Sequence, residues 1–100
     1  MAVKTRIEIL LNQAVEEDLM DRLGIHKAGT HFTRIAPVFG KGRSGERRGD
    51  HIWPEENVLF IMYCSESERD RIIASVREVK RLFPEEGIKL FAFETEVFEL

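Results

Sequence analysis

Alternation of apolar and polar residues at the start of the chain predicts a β-strand that is covered on one face. One side carries Val3, Thr5, Ile7, Ile9 and Leu11, and the other carries Lys4, Arg6 and Glu8. Asn12 then suits a helix N-cap, acids follow it, and apolar residues recur at four-residue spacing. This pattern predicts a first helix over 13–23 that ends at Gly24.

Two further strands are predicted in the middle of the chain. Residues 31–39 are rich in Phe, Thr, Ile and Val, which favours a second strand whose later pairing Pro37 weakens. Residues 57–64 are apolar at nearly every position, which predicts a third strand buried on both faces.

The last third of the chain repeats the helix and strand pattern. A Ser-x-x-Glu capping box begins a second helix over 66–82, which Pro84 ends. Residues 88–93 form a fourth strand, and the acidic tail 94–100 can add a short edge strand.

The order of these elements indicates the fold class. A β-α-β-β-α-β chain places two helices on one face of an antiparallel sheet, which is the ferredoxin-like arrangement of the α+β class. One hundred residues, 43% of them hydrophobic, form a single globular domain over 1–100 without a disulfide or a structural metal.

The sheet face away from the helices is predicted to be apolar. The third strand contributes Leu59, Ile61 and Tyr63 to it, and the fourth contributes Phe91 and Phe93. An uncovered patch of this kind is unusual for a soluble monomer, so the sequence predicts a homo-oligomer that associates through this face.

The net charge and the cysteine content limit the possible partners and the cellular compartment of the protein. The net charge of −3 gives no general attraction to nucleic acid, so any anion site is local. Cys64 is the single cysteine, which excludes an intrachain disulfide and favours a reducing compartment. Without a signal core or a membrane-length apolar run, we expect a cytoplasmic protein with no membrane insertion.

Residues 40–55 form a predicted loop that is rich in glycine and cations. Its glycines allow backbone N–H groups to turn toward an anion, and Lys41, Arg43, Arg47 and Arg48 supply positive charge. The same composition also suits a solvated loop without a ligand, so both interpretations stay open. A Gly-x-Gly-x-x-Gly order occurs here, but no helix start follows it as a dinucleotide motif requires.

The element order, this loop and a Gly-x-Lys before the fourth strand together resemble the P-II (nitrogen regulatory) signal-transduction superfamily. The run Val38-Phe39-Gly40-Lys41-Gly42 is similar to the segment that opens the family's T-loop, and Arg48-Gly49 to the Arg-Gly within that loop. The run Gly87-Ile88-Lys89-Leu90-Phe91 is similar to the segment that holds nucleotide phosphate. The similarity covers almost the whole chain.

This resemblance implies a non-enzymatic sensor, a homotrimer whose sheets face inward. It would bind an adenine nucleotide or a similar small anionic metabolite at subunit clefts and signal to a regulated protein partner through its loop, with no cofactor required. The ligand-binding residues it implies are Gly40, Lys41, Gly42, Arg43, Arg47, Arg48, Gly87 and Lys89.

The chain departs from the family in two ways. Its loop is shorter and has no tyrosine, because the single tyrosine is Tyr63 in the third strand, so tyrosine modification is not expected. The family's C-terminal arginines that reach phosphate have no equivalent after Lys89, which leaves the loop arginines as their replacement.

Two alternatives stay open. The run His51-Ile52-Trp53-Pro54 is loosely similar to a segment of the CutA-type divalent-cation-tolerance proteins, which implies a trimer that binds divalent metal. The candidate ligands are His26, His31, His51, Asp50 and Cys64. Their spacing fits no compact metal motif, so no metal residues are predicted. The other alternative is a protein-interaction module with no small-molecule ligand.

Catalysis has little support in the sequence. A cysteine at the end of an apolar strand, such as Cys64, is typical of an inert core residue. Neither a Ser-His-Asp order nor a nucleophile elbow is visible. We therefore expect that the protein is not an enzyme.

Overall fold

The structure is a computed structural model that describes residues 2–40 and 56–100. Its four strands form one antiparallel sheet in the order β2-β3-β1-β4. The elements are β1 (Ala2–Asn12), a 3-10 turn (Gln13–Val15), α1 (Glu16–Ile25), β2 (Thr33–Phe39), β3 (Glu56–Cys64), α2 (Glu66–Leu82) and β4 (Ile88–Val97). The predicted ferredoxin-like α+β fold is confirmed.

The hydrophobic core lies between the two helices and one face of the sheet. From Thr5 in β1 and from Val58 in β3, every second residue points into it, as the alternation predicted, whereas Val3 is 64% exposed. Its fully buried side chains include Ile7, Ile9, Leu11, Leu19, Leu23, Val58, Phe60, Met62, Ile72 and Val79. Because burial of each such side chain contributes about 1.5–3 kcal/mol, this layer holds the helices on the sheet.

The opposite sheet face, here called the open face, is only partly covered. In β3, Leu59 and Ile61 are half-buried there and Tyr63 is exposed, so the prediction of a strand buried on both faces is wrong for the single chain. Phe91 and Phe93 of β4 extend the same surface and are 53% and 47% exposed. The apolar open face itself is therefore confirmed.

The first helical segment begins at Gln13 as expected, but as a 3-10 turn, and α1 itself begins at Glu16 and ends later than predicted. The Asn12 side chain accepts a hydrogen bond from the Ala14 N–H at 2.8 Å, which confirms the N-cap. Gly24, predicted to stop the helix, lies inside its last turn. The helix instead ends in a Schellman motif, where the Ala28 N–H bonds the Leu23 carbonyl (3.0 Å) and the Lys27 N–H bonds the Gly24 carbonyl (3.2 Å).

Lys27→Gly is expected to stabilise the protein by about 0.5–1 kcal/mol. Lys27 has a φ of 52°, a left-handed conformation that an L side chain resists by about 1 kcal/mol and that glycine adopts freely, although glycine also makes the unfolded chain more flexible. Urea unfolding measures the gain. Lys27→Ala keeps the Cβ atom and should bring none, and a loss of stability in the glycine variant would contradict this reading of the helix end.

The second helix follows the sequence closely. The Ser65 hydroxyl accepts a hydrogen bond from the Glu68 N–H at 3.3 Å, and the helix runs to Leu82. Buried Ile72, Val76 and Val79 form its apolar stripe. Neither helix of the described ranges is long and apolar enough to cross a membrane.

The second strand begins at Thr33 rather than at 31 and contains a β-bulge. Ile35 pairs with Leu59, but Val38 pairs with Asn57, so β2 holds one residue more than β3 between these pairs. Pro37 lies in this bulge on an edge strand, where its missing N–H breaks no regular ladder. The predicted weakening of pairing at Pro37 is confirmed.

The fourth strand is longer than predicted. It spans Ile88–Val97 and absorbs much of the acidic tail, because it pairs with β1 along its whole length, as far as Ala2 opposite Val97. β3 pairs with β1 only from Thr5 onward. The tail therefore lengthens β4 instead of adding a separate edge strand.

Candidate functional site

Three of the predicted ligand-binding residues lie at one end of the sheet. Gly40 directly follows β2, Gly87 directly precedes β4, and Lys89 is the second residue of β4. Asn12, the last residue of β1, pairs there with Asn57 at the start of β3. We call this end of the sheet, marked by these five residues, the loop end.

Gly40 and Gly87 do not meet within one subunit. β2 and β4 are the two outer strands, so three strand spacings separate them, about 14 Å in total. The segment 41–55 joins β2 to β3 along the chain. Its own predicted residues, Lys41, Gly42, Arg43, Arg47 and Arg48, lie outside the described residues, and their role stays a prediction.

The surroundings of Gly87 and Lys89 leave room for a ligand. A Cβ atom added at Gly87 would have no other atom within 4 Å. Lys89 is exposed and pairs with Leu10, which places its ammonium on the open face. At Gly40 the nearest atom to such a Cβ is the Asn57 side-chain nitrogen at 3.8 Å. A ligand can therefore approach the backbone at both glycines.

Lys80 anchors the turn that leads to Gly87. Its Nζ donates hydrogen bonds to the Pro84 carbonyl at 2.9 Å and to the Glu86 carbonyl at 2.6 Å. The sequence analysis did not identify this residue. A usable signal was present, because a lysine in the last turn of a helix is well placed to bond the carbonyl groups that follow.

A polar cluster lies in the middle of the open face. Arg6 donates to the Glu8 carboxylate at 2.9 and 3.1 Å and to the Tyr63 hydroxyl at 2.7 Å. Its guanidinium carbon is 5.6 Å from the ring centres of both Tyr63 and Phe93. The hydrogen bond to Glu8 raises the pKa of Arg6 above its ordinary value. The charge is thus paired inside one subunit, which the sequence pattern did not indicate.

A shallow cleft beside the start of α1 is chemically unsuited to an anion. Its lining is mostly acidic: Gln13, Ala14, Glu16, Glu17, Asp18 and Asp21. The carboxylates already offset the positive end of the helix dipole. They also repel a phosphate group. This cleft is therefore excluded as an anion site.

The candidate metal ligands of the described ranges do not come together. His26 bonds Glu78 at 2.7 Å between the helices, while His31 contacts Thr30 in the connection to β2. Cys64 is buried, and burial raises the pKa of its thiol above the ordinary value, so it stays protonated at neutral pH. Residues 2–40 and 56–100 contain no group of three metal-binding side chains, and the other two candidates, Asp50 and His51, lie outside these ranges.

Comparison with known proteins gives a match in structure but not in sequence. No family model and no curated protein matches the chain. CPII, a nitrogen regulatory PII-like protein from Thiomonas intermedia K12 bound to ADP, AMP and bicarbonate, matches with a TM-score of 0.75 and 17% identity over 99% of this chain and 97% of that chain.

Two further structures agree. The GlnK–ATP complex of B. subtilis matches with a TM-score of 0.68 and 20% identity, over 93% of this chain and 82% of that chain. A DUF3240 family protein from Shewanella baltica OS155 matches with a TM-score of 0.60 and 14% identity, over 100% of this chain and 96% of that chain. At these identities the likeness establishes the fold.

Proposed function

We propose that this chain, which has the PII-like fold, is a non-catalytic regulatory protein that binds an adenine nucleotide or a similar anionic metabolite. The ligand lies in clefts between the subunits of a homotrimer, and the signal passes to a protein partner through residues 40–55. The observation that carries the proposal is the position of Gly40, Gly87 and Lys89 at one end of a sheet whose fold is shared with proteins crystallised with ADP, AMP or ATP.

The distance across the loop end favours a site between subunits. Gly40 and Gly87 belong to opposite outer strands of one sheet. In a cyclic trimer each interface joins two different surfaces of neighbouring subunits, so the β2 side of one copy can meet the β4 side of the next. Such an arrangement brings the loop of one copy toward Lys89 of its neighbour.

The open face supports the trimer in the same way. It combines exposed aromatic rings with a charge that is already neutralised, since Arg6 is paired with Glu8 inside the subunit. A surface of this kind can be covered by another copy without leaving an unpaired charge, which is the costly outcome of burying ions.

Lys89→Met is expected to weaken binding of ADP by about 10- to 100-fold, because it removes a charge-assisted hydrogen bond to phosphate and keeps the aliphatic stem. Isothermal titration calorimetry with ATP, ADP and AMP, each with and without bicarbonate, measures the effect. Lys4→Met is the matched control, because Lys4 pairs with Thr95 at the far end of the same sheet face. It should bind ADP as the wild type does.

The outcomes separate the candidate functions. Wild-type protein that gives no heat with any of the three nucleotides would contradict the nucleotide proposal. Thermal stabilisation by Zn²⁺ or Cu²⁺ alone would then favour the metal-binding trimer, and a protein partner bound without any small-molecule response would favour an interaction module. Equal weakening by Lys4→Met and Lys89→Met would indicate a general charge effect instead of a site.

A further inference from the structure

We infer that Lys80 is a positioning residue for the anion site, because its ammonium group fixes the turn before β4 and thereby aims the Gly87 N–H at the ligand. This inference rests on the proposed function and deepens it. It adds a residue that acts on the ligand without touching it.

The turn between α2 and β4 is held at both ends. Phe83 packs against the core and its N–H bonds the Val79 carbonyl at 2.9 Å, while the Glu86 N–H bonds the Phe83 carbonyl at 3.0 Å. Lys80 then bonds two further carbonyls of the same turn, those of Pro84 and Glu86. Its ammonium is the one side-chain group among the described residues that bridges both.

Peptide geometry carries the constraint from Glu86 to Gly87. In a trans peptide the carbonyl oxygen and the following N–H point in opposite directions. The Ala36–Pro37 bond is the one cis peptide within the described ranges, so the bond between Glu86 and Gly87 is trans. Since the Glu86 oxygen faces Lys80, the Gly87 N–H points away from the Lys80 ammonium, and the position of a Gly87 Cβ atom is free of other atoms within 4 Å.

Electrostatics gives Lys80 a second effect. The C-terminal end of a helix carries a partial negative charge, which opposes an anion near Gly87. An ammonium group bonded to the carbonyl oxygens of Pro84 and Glu86 offsets part of that charge in the turn before β4. The Gly87 N–H, the Lys89 ammonium and the neutralised end of α2 then all favour binding of the same anion.

The test compares Lys80→Met with Arg81→Met, in the full chain. Arg81 is an exposed cation of the same helical turn, so its loss changes the net charge equally. We expect ADP affinity, measured by calorimetry, to fall about tenfold in Lys80→Met and less than twofold in Arg81→Met, by analogy with residues that orient direct ligands. Lys80→Arg keeps the charge and the donors and should restore part of the affinity.

A backbone readout separates positioning from simple loss of stability. In ¹⁵N–¹H NMR spectra of the unliganded protein, Lys80→Met should shift the Gly87 amide signal and speed hydrogen exchange of the Glu86 amide, which bonds the Phe83 carbonyl, while amides of β1 and β3 stay unchanged. Lys80→Gln provides a second neutral variant if Lys80→Met folds poorly. An unmoved Gly87 amide in a folded neutral variant would overturn the inference.

The binding outcomes are equally decisive. If wild-type protein binds ADP and the neutral variants bind it as tightly, or if Arg81→Met weakens binding as much, the role of Lys80 is overturned and the proposed function stands. If wild-type protein binds none of ADP, ATP and AMP, the proposed function fails and the inference fails with it.

Discussion

Ile61→Asp is expected to break the assembly of this protein into single subunits. Ile61 is half-buried in the centre of the open face, where it pairs with Glu8 of β1 and Thr33 of β2. In the proposed trimer this face is covered, so the variant buries an unpaired carboxylate beside another one, which costs about 3–5 kcal/mol. Light scattering at micromolar concentration should give about three times 11.6 kDa for the wild type and 11.6 kDa for the variant.

The matched control makes the same chemical change on the helical side of the molecule. Ile25 is 65% exposed at the end of α1, so Ile25→Asp should leave the assembly intact. A wild-type protein that is monomeric at micromolar concentration would contradict the trimer. Dissociation by both variants would show that the open face is not the specific contact.

Phe60→Ala is expected to lower the free energy of unfolding by about 3–5 kcal/mol. Phe60 is 0% exposed on β3, and its ring meets that of Phe32 edge to face, with centroids 5.3 Å apart. Truncation removes both this contact and the apolar burial and leaves a cavity. Because a domain of this kind is stable by only about 5–15 kcal/mol in total, the shift of the urea midpoint should be large.

Phe98→Ala is the control for this core substitution. Phe98 follows β4 and is 65% exposed, so its truncation should change the unfolding free energy by less than about 0.5 kcal/mol. Both variants are compared at one protein concentration, because assembly contributes to apparent stability. A loss below about 1 kcal/mol in Phe60→Ala would show that the core around β3 is more adaptable than its burial indicates.

Local periodicity explains why most of the fold could be predicted from the sequence. The two-residue period of β1 and the apolar stripe of α2 are each contained in a few consecutive residues, and both agree with the structure. The order of elements then places Gly40 and Gly87 at one end of the sheet. Both glycines share that end of the sheet, although they belong to its two opposite outer strands, and this part of the candidate site follows from topology alone.

The differences arise where distant residues decide the local structure. α1 continues past Gly24 to a left-handed Lys27, whose carbonyl accepts a hydrogen bond from Arg71 of α2 at 2.5 Å. β4 continues into an acidic tail because β1 offers it a partner. Lys80 donates a hydrogen bond to a turn whose sequence has no periodic pattern. Such contacts depend on three-dimensional placement, which a local sequence pattern does not contain.

The bulge in β2 separates the length of the strand from the direction in which the chain leaves it. Successive residues of a strand point to opposite faces, and the additional residue between Ile35 and Val38 reverses the facing of every position after it. Val38 therefore lies opposite Asn57 on the open face, as Ile35 lies opposite Leu59, and loss of Pro37 would restore the regular ladder with Val38 still opposite Asn57. β2 can therefore lose one residue at the bulge in evolution while the chain still leaves the sheet from the same face at Gly40, so the length of the strand can change without redirecting its end.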